Sequence, residues 1–192
     1  MVTTVYFDFE TGGVEMHHPN ISLAAIAIRD GIEVDAMHFR IKFDEALADP
    51  KALEINHYDP ALWAAEAITE KEATKSFSDF LSQYKSLSLM SARTGRPYQV
   101  ARLAGYNAAS FDGPRANAMF DRHGVFPPFR RPVLDVLQLV LEYSDTKQLG
   151  LANHKLSTVA AHFGIPTDNA HDALVDCQMT AAIHAALQKA AI

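Results

Sequence analysis

The chain has 192 residues, 48% of them hydrophobic and 21% charged, which is typical of a soluble protein with a sizeable core. No apolar stretch is as long as a membrane span and the amino terminus does not resemble a signal peptide, so we expect neither a signal peptide nor an association with a membrane. The formal net charge of −6 argues against a general polyanion binder. Cys177 is the single cysteine, which excludes an internal disulfide and fits a cytoplasmic protein. We expect Cys177 to be a small core residue.

The first third of the chain predicts three strands. Residues 2–9 and 21–29 are nearly continuous apolar runs, and residues 31–43 alternate between apolar and polar side chains. Asp30 and Gly31 lie between the second and third runs, as in a tight hairpin turn. We therefore predict a three-stranded antiparallel meander.

Helical periodicity begins after residue 46. Thr69 and Glu72 have the spacing of a capping box, and apolar residues follow at helical intervals. Residues 98–108 return to a strand-like pattern. Further helices are predicted over residues 114–123, 133–143, 155–164 and 171–190. The order indicates an α/β protein with a mixed sheet covered by helices, in a single domain spanning residues 1–192.

The first strand carries two carboxylates in the segment YFDFETGG. Asp8 and Glu10 are two positions apart, so they point to the same face of the strand. Two buried like charges repel each other unless a cation lies between them, and oxygen ligands suit Mg²⁺ or Mn²⁺. The alternative is that the strand ends at Asp8 and that Glu10 opens a solvated turn before Gly12.

Two later segments add carboxylates near predicted helix starts. Asp112 lies where a strand gives way to a helix, so it is a candidate metal ligand or a simple N-cap for the helix begun by Pro114. His171 stands at the head of the last helix, where Asp172 is the better cap candidate. Asp176 lies more than one turn inside that helix among apolar residues, where a carboxylate needs a basic partner or a metal.

Together these segments resemble the DEDDh family of 3′–5′ exonucleases. The first motif of that family matches Asp8, Glu10, Thr11 and Gly12. The second matches Asn107, Ala108, Phe111 and Asp112, and the third matches His171 and Asp176. The motifs occur in the family's order and span nearly the whole chain, and residues 155–165 look like the helix that precedes the third motif.

The resemblance implies a ribonuclease H-like fold and removal of nucleotides from the 3′ end of single-stranded DNA or RNA. It implies two Mg²⁺ or Mn²⁺ ions held by Asp8, Glu10, Asp112 and Asp176, with His171 as the general base. Thr11, Gly12 and Asn107 would border the terminal nucleotide, and His57 would contact it from a loop. A polymerase or another replication or repair protein is a possible partner.

Two other functions stay open at this stage. One is a metal-dependent phosphoesterase that acts on small nucleotides. The other is a non-catalytic nucleic-acid-binding module of the same fold, since a fold does not fix a function. Degradation of an end-labelled oligonucleotide separates these alternatives.

One segment is basic although the chain as a whole is acidic. Residues 93–131 contain seven arginines against two aspartates, which indicates either a footprint for phosphates or a solvated surface. Residues 93–97 predict the turn of a hairpin whose Arg93 and Arg96 contact the upstream part of the substrate, with Tyr98 stacking on a base. The seven are Arg93, Arg96, Arg102, Arg115, Arg122, Arg130 and Arg131.

Overall fold

The computed structural model describes residues 2–167 and 172–190. Its strands are β1 (Thr4–Thr11), β2 (Asn20–Arg29), β3 (Ile32–Arg40), β4 (Leu87–Met90), β5 (Pro97–Val100), β6 (Arg102–Gly105) and β7 (Leu134–Asp135). Its helices are α1 (Pro50–Ile55), α2 (Pro60–Glu66), α3 (Glu70–Gln83), α4 (Asp112–Arg122), α5 (Val136–Lys147), α6 (Leu156–His162) and α7 (Ala173–Ala190). None of these helices is both long and apolar enough to cross a membrane.

A five-stranded mixed sheet in the order β3-β2-β1-β6-β7 forms the centre of the fold. The predicted meander is confirmed, because β1, β2 and β3 pair antiparallel. The turn between β2 and β3 has positive φ angles at Asp30 and Gly31, as the hairpin prediction requires. β6 lies parallel to β1, and β7 lies parallel to β6.

Alternation along β1 gives the sheet two different faces. Val5, Phe7 and Phe9 point to one face, where they pack with residues of α3 and α4. Tyr6 points to the other face, which is covered by α5, α6 and α7. Asp8 and Glu10 follow Tyr6 at intervals of two, so they lie on the face that α7 covers.

The predicted strand over residues 98–108 is divided in the structure. β5 pairs with β4 in a separate two-stranded hairpin, whereas β6 belongs to the central sheet. Ala101 lies between the two strands and forms an isolated bridge with Phe129. The chain therefore leaves one sheet and enters another within a single apolar run, which residue periodicity does not reveal.

Helix predictions were correct in position and differ at the ends. The capping box of α3 is present, since the Thr69 side chain accepts a hydrogen bond from the Glu72 backbone and the Glu72 side chain accepts one from the Thr69 backbone. α4 begins at Asp112 rather than at Pro114. The start of the predicted 133–143 helix forms strand β7 instead, because Leu134 and Asp135 pair with β6.

Candidate active site

Three carboxylates meet where α7 crosses the carboxyl-terminal half of β1. Carboxylate oxygens of Asp8, Glu10 and Asp176 all lie within 4.8 Å of one another. The Cys177 thiol, next to Asp176, donates a long hydrogen bond of 3.6 Å to the carbonyl of Ala24, the β2 residue paired with Asp8. The small Ala24 side chain lets α7 approach the sheet closely enough to bring Asp176 to the two β1 carboxylates.

The start of α7 is fixed by the residue that the sequence favoured as its cap. The Asp172 carboxylate accepts hydrogen bonds from the backbone N–H groups of Leu174 at 2.9 Å and Val175 at 3.3 Å. Asp172 therefore satisfies the helix terminus, and Asp176, one turn later, is directed to the acidic cluster instead. His171 lies outside the described residues.

Asp112 lies next to this cluster, and its predicted alternative role as an N-cap is wrong. The N-cap residue of α4 is Phe111, whose side chain makes no capping bond, and Asp112 is already in the first helical turn. The buried Asp112 carboxylate accepts a hydrogen bond of 3.2 Å from the backbone N–H of Phe9. This contact ties the start of α4 to β1 between Asp8 and Glu10.

Glycines allow the chain to turn tightly before α4. A Cβ atom on Gly105 would lie 2.9 Å from the carbonyl oxygen of Phe7, and one on Gly113 would lie 2.7 Å from that of Ala108. Gly105 therefore permits the close approach of β6 to β1, and Gly113 permits that of α4 to the turn before it. Between them, Asn107 adopts a left-handed conformation with a φ of 57°. The turn places Asn107 at the end of β6, beside the acidic cluster.

Burial and mutual repulsion raise the pKa values of the clustered carboxyl groups. The pKa of Asp8 lies well above its usual value, first because of burial and then because of the charges of Asp112, Glu10 and Asp176. Burial, followed by the charge of Asp176, raises the pKa of Glu10 to about 8. Burial raises the pKa of Asp112 to about 7, against the opposing effect of its bond from Phe9.

The donor set fits a divalent metal ion. Every ligand offered by the cluster is a carboxylate oxygen, the ligand type that Mg²⁺ and Mn²⁺ prefer. A cation between these groups would remove the repulsion that raises their pKa values. The second predicted location, between Asp8 and Asp112, is compatible with the effect of the Asp112 charge on Asp8.

These pKa values predict that the metal-free protein loses stability as the pH rises. Carboxyl groups in the unfolded chain titrate near pH 4, whereas Glu10 and Asp112 titrate near 8 and 7 in the folded protein. The folded state therefore binds more protons than the unfolded state between about pH 4 and 8, so the free energy of unfolding falls over this range. We expect the melting temperature measured in chelator to decrease from pH 5 to pH 8.

Two comparisons make this measurement specific. Excess Mg²⁺ should restore the melting temperature most strongly at pH 8, where the carboxylates are ionised, and Glu10→Gln should reduce the pH-dependent decrease. A melting temperature that stays level or rises across this range in chelator would contradict the assigned repulsion.

Arg115 is a structural residue that the sequence reasoning counted among possible phosphate contacts. It is buried, and its guanidinium donates hydrogen bonds to the carbonyls of Gly13, Val14, Glu15 and His18 at 2.8–3.2 Å. The same group also lies 4.4 Å from the centre of the Phe111 ring. Arg115 thus holds the loop that follows β1 against α4.

Replacing Arg115 should weaken the attachment of the loop that follows β1 and so lower the stability of the protein. We expect Arg115→Lys to lower the free energy of unfolding by about 1–3 kcal/mol, because an ammonium cannot replace a planar fork that serves several carbonyls at once. Urea denaturation measures this loss. Arg122→Lys, at an exposed ion pair with Glu70, is the matched control and should change stability by less than about 1 kcal/mol. Equal effects of the two substitutions would contradict the role given to Arg115.

The predicted contacts of the terminal nucleotide lie around the carboxyl end of β1. Asn107 and Asp176 line the same groove of about 610 Å³. Thr11 and Gly12 are buried, and a Cβ atom on Gly12 would lie 2.7 Å from that of Ala48. His57 is exposed in the turn after α1, next to Asn56, whose side chain donates to the Thr11 carbonyl. Thr11 and Gly12 thus follow Glu10 directly, and His57 is linked to this region only through its neighbour Asn56.

Arg93 and Arg96 lie at a different end of the sheet. They occupy the turn of the β4–β5 hairpin, which confirms the predicted hairpin. The base of this hairpin lies beside Thr3, where the Ser86 hydroxyl donates to the Thr3 carbonyl. Thr3 precedes β1, whereas the acidic cluster lies at its carboxyl-terminal half, so the structure does not bring these two arginines to the cluster.

The seven arginines of residues 93–131 do not form a single basic surface. Arg115 is buried, Arg122 pairs with Glu70, and Arg131 pairs with Asp121 at 3.1 Å. The excess of positive charge along the sequence is therefore not concentrated on one surface, because Arg115 is buried and Arg122 and Arg131 are paired with acidic residues.

Sequence reasoning missed the role of Asp135 as well as that of Arg115. The Asp135 carboxylate accepts hydrogen bonds from the backbone N–H groups of Ala109 and Leu137, both at 3.0 Å. It therefore caps α5 and also holds the turn that carries Asn107. The only local sign of this role was a polar residue within an apolar segment. The bond to Ala109, 26 residues away, could not be inferred from the sequence.

Comparisons with known proteins agree with this arrangement. Residues 98–184 match a family model described as Exonuclease (RNase_T), while no curated protein sequence matches the chain significantly. The fold is similar to E. coli exonuclease I in complex with a dT13 oligonucleotide, with a TM-score of 0.77 and 20% identity over 98% of this chain and 41% of that chain. It is also similar to exonuclease I from Methylocaldum szegediense, with a TM-score of 0.78 and 19% identity over 98% and 41% of the two chains.

A zinc-bound E. coli exonuclease I–ssDNA complex is similar at a TM-score of 0.76 and 21% identity, over 98% of this chain and 40% of that chain. The chain thus spans about two fifths of the length of these structures. The chain therefore shares the fold of exonuclease I, and its residues 98–184 match the exonuclease family model.

Proposed function

We propose that this protein hydrolyses phosphodiester bonds at the 3′ end of single-stranded DNA and releases nucleoside monophosphates one at a time. The observation that carries the proposal is the meeting of Asp8, Glu10 and Asp176 within 4.8 Å, with Asp112 beside them. Partly buried carboxylates that repel one another lower stability, so their placement beside an open groove is better explained by chemistry than by folding.

The acidic residues would hold divalent ions in two overlapping sets. Asp8, Glu10 and Asp176 would form one set, and Asp8 with Asp112 would form the other. Bound there, Mg²⁺ or Mn²⁺ would acidify a water molecule and offset the negative charge that develops on the leaving oxygen. Their all-oxygen donor set favours these ions over softer metals.

The chain's own residues would prepare the substrate and move the proton. The bond from the Phe9 N–H orients the Asp112 carboxylate, and the Ala24 contact positions α7 with Asp176. Asn107 lines the groove shared with Asp176 and would border the terminal nucleotide. His171 would accept the proton of the attacking water, because an imidazole has a pKa close to neutral pH.

The choice of single-stranded DNA has two supports. The fold is similar to that of E. coli exonuclease I, whose structures include complexes with dT13 and dA16 oligonucleotides. A 3′ end must also reach carboxylates that lie between α7 and the sheet, and an unpaired strand enters such a groove more readily than a duplex. RNA is the competing substrate, and the experiment below compares the two.

A 5′-labelled oligonucleotide of 20 nucleotides tests the proposal. With Mg²⁺ or Mn²⁺ we expect a ladder of products that shorten by one nucleotide, faster for DNA than for RNA, and no products in chelator. A 3′-phosphate should slow the reaction. Cleavage of dinucleotides without shortening of the 20-mer would favour a small-nucleotide phosphoesterase, and binding without cleavage would favour a non-catalytic module.

A further inference from the structure

A second groove lies between the β4–β5 hairpin and residues 124–132, which follow α4. It has a volume of about 640 Å³. Leu89 and Tyr98, which are paired across the hairpin, form one side, and Phe126 with Arg130 contributes to the other. The proposed chemistry uses none of these residues.

The backbone on both sides of this groove is tied to the central fold. The Ala101 N–H donates to the Pro128 carbonyl at 2.8 Å, and the Arg130 N–H donates to the Ala101 carbonyl at 3.1 Å. The hairpin base is held by the bonds between Ser86 and Thr3. The groove is therefore a built feature between two anchored segments.

Two aromatic rings on this surface remain open to solvent. Phe126 is 75% exposed and Tyr98 is 38% exposed, and both line the groove. A largely exposed phenylalanine beside a second exposed ring indicates a surface with a partner. Such rings are the stacking platforms that proteins use for unpaired bases.

The charge around these rings is positive although the protein is acidic. Arg130 and Arg131 are exposed at the groove, and Arg93 and Arg96 are exposed in the hairpin turn. Asp121 also lines the groove and pairs with Arg131 at 3.1 Å. Arg130 and Arg131 therefore line the groove beside one aspartate, and two further exposed arginines lie on the hairpin that carries Tyr98. This combination is suited to a polyanion with aromatic bases.

Helix α4 links this groove to the candidate active site. It begins at Asp112 and ends at Arg122, so the two sites lie about 15 Å apart along its axis at about 1.5 Å per residue. A strand stacked at the duplex spacing of about 3.4 Å per nucleotide spans this distance with roughly four to five nucleotides. Because of this separation, a long substrate could contact both the groove and the carboxylates, whereas a dinucleotide at the carboxylates would not reach the groove.

We propose that this groove binds the upstream part of a single-stranded nucleic acid whose 3′ end lies at the carboxylate cluster. Phe126 and Tyr98 stack on bases, and Arg130 and Arg131, together with the hairpin arginines, contact phosphates. The inference rests on the proposed function, since the exonuclease substrate is the strand that occupies the groove.

Direct binding in chelator tests the groove without turnover. Fluorescence anisotropy compares a 20-nucleotide DNA with a trinucleotide for the wild type, Phe126→Ala and the double variant Arg130→Ala/Arg131→Ala. We expect Phe126→Ala to weaken binding of the 20-mer roughly 5- to 100-fold, the usual effect of losing a base–aromatic stack. Because the Phe126 side chain is largely exposed, we expect Phe126→Ala to fold like the wild type, and a melting curve checks this.

The arginine variant should change the salt dependence. Each lost phosphate contact reduces the slope of log K against log salt by about 0.7 for single strands, so we expect a reduction of about 1.4 for two contacts. Arg93→Ala/Arg96→Ala should act in the same direction. Asp121→Asn should strengthen binding, and trinucleotide binding should be unchanged in all of these variants.

Lys71→Ala/Lys75→Ala removes the same charge from an exposed part of α3 and serves as the control. If the groove variants bind the 20-mer with the affinity and salt slope of the wild type, or change no more than this control, the inference is wrong and the surface serves another partner such as a protein. Stepwise shortening of the 20-mer by the wild type separates the two proposals. Its absence opposes the proposed function, whereas unchanged 20-mer binding in the variants opposes only the groove.

Discussion

Asp8→Asn should reduce 3′-end hydrolysis by on the order of 10³-fold or more, because metal-ion stabilisation of developing charge is worth several kcal/mol. Asp8 is the carboxylate shared by both proposed sets of metal ligands. Its negative charge is repelled by the charges of Asp112, Glu10 and Asp176. Asp176→Asn should have a comparable effect. Release of the labelled 3′ nucleotide in single-turnover conditions measures the rate.

A second measurement on the same variants does not depend on activity. In chelator, Asp8→Asn should melt at a higher temperature than the wild type, since it removes one of several mutually repelling buried charges. The increase in melting temperature on adding Mg²⁺ or Mn²⁺, which reports binding to the folded state, should be much smaller in the variant.

The matched control is Asp145→Asn, the same chemical change at an exposed position of α5. It should leave the rate and the metal-dependent melting unchanged. Full activity of Asp8→Asn or Asp176→Asn, or wild-type hydrolysis in the presence of chelator, would refute the metal-site assignment.

His171→Ala should slow hydrolysis about 10²- to 10⁴-fold, the usual contribution of general base catalysis. The role is a prediction from the motif, because His171 lies outside the described residues. The wild-type rate should rise with pH through the range in which an imidazole loses its proton, near a pKa of about 6.5. This limb of the pH profile should disappear in the variant.

A base and a metal ligand are distinguished by the metal response. His171→Ala should keep the melting-temperature increase that Mg²⁺ gives the wild type, and isothermal titration should give a similar affinity. His162→Ala, at an exposed residue of α6, is the control and should change neither quantity. Loss of metal binding together with an unaltered pH profile would show that the base assignment is wrong.

Local sequence patterns were sufficient to show which residues share a face. Alternation along β1 placed Asp8 and Glu10 on one side of the strand, and the local signals of the Asp30–Gly31 turn and the Thr69 capping box gave the correct elements. These features depend on neighbours within a few positions, where backbone geometry fixes the direction of each side chain. The motif order added Asp112 and Asp176 to the candidate site.

The contacts of the remaining polar residues depend on long-range packing. Asp112 bonds to the Phe9 backbone 103 residues away rather than capping its own helix, and Arg115 is buried against carbonyls about 100 residues away. Arg93 and Arg96 lie at the opposite end of β1 from the acidic cluster, although only a short segment separates them from Asn107 in sequence. Local patterns specify the direction of a side chain, whereas its partner depends on which distant segments the core brings together, and that is decided by the packing of the whole chain.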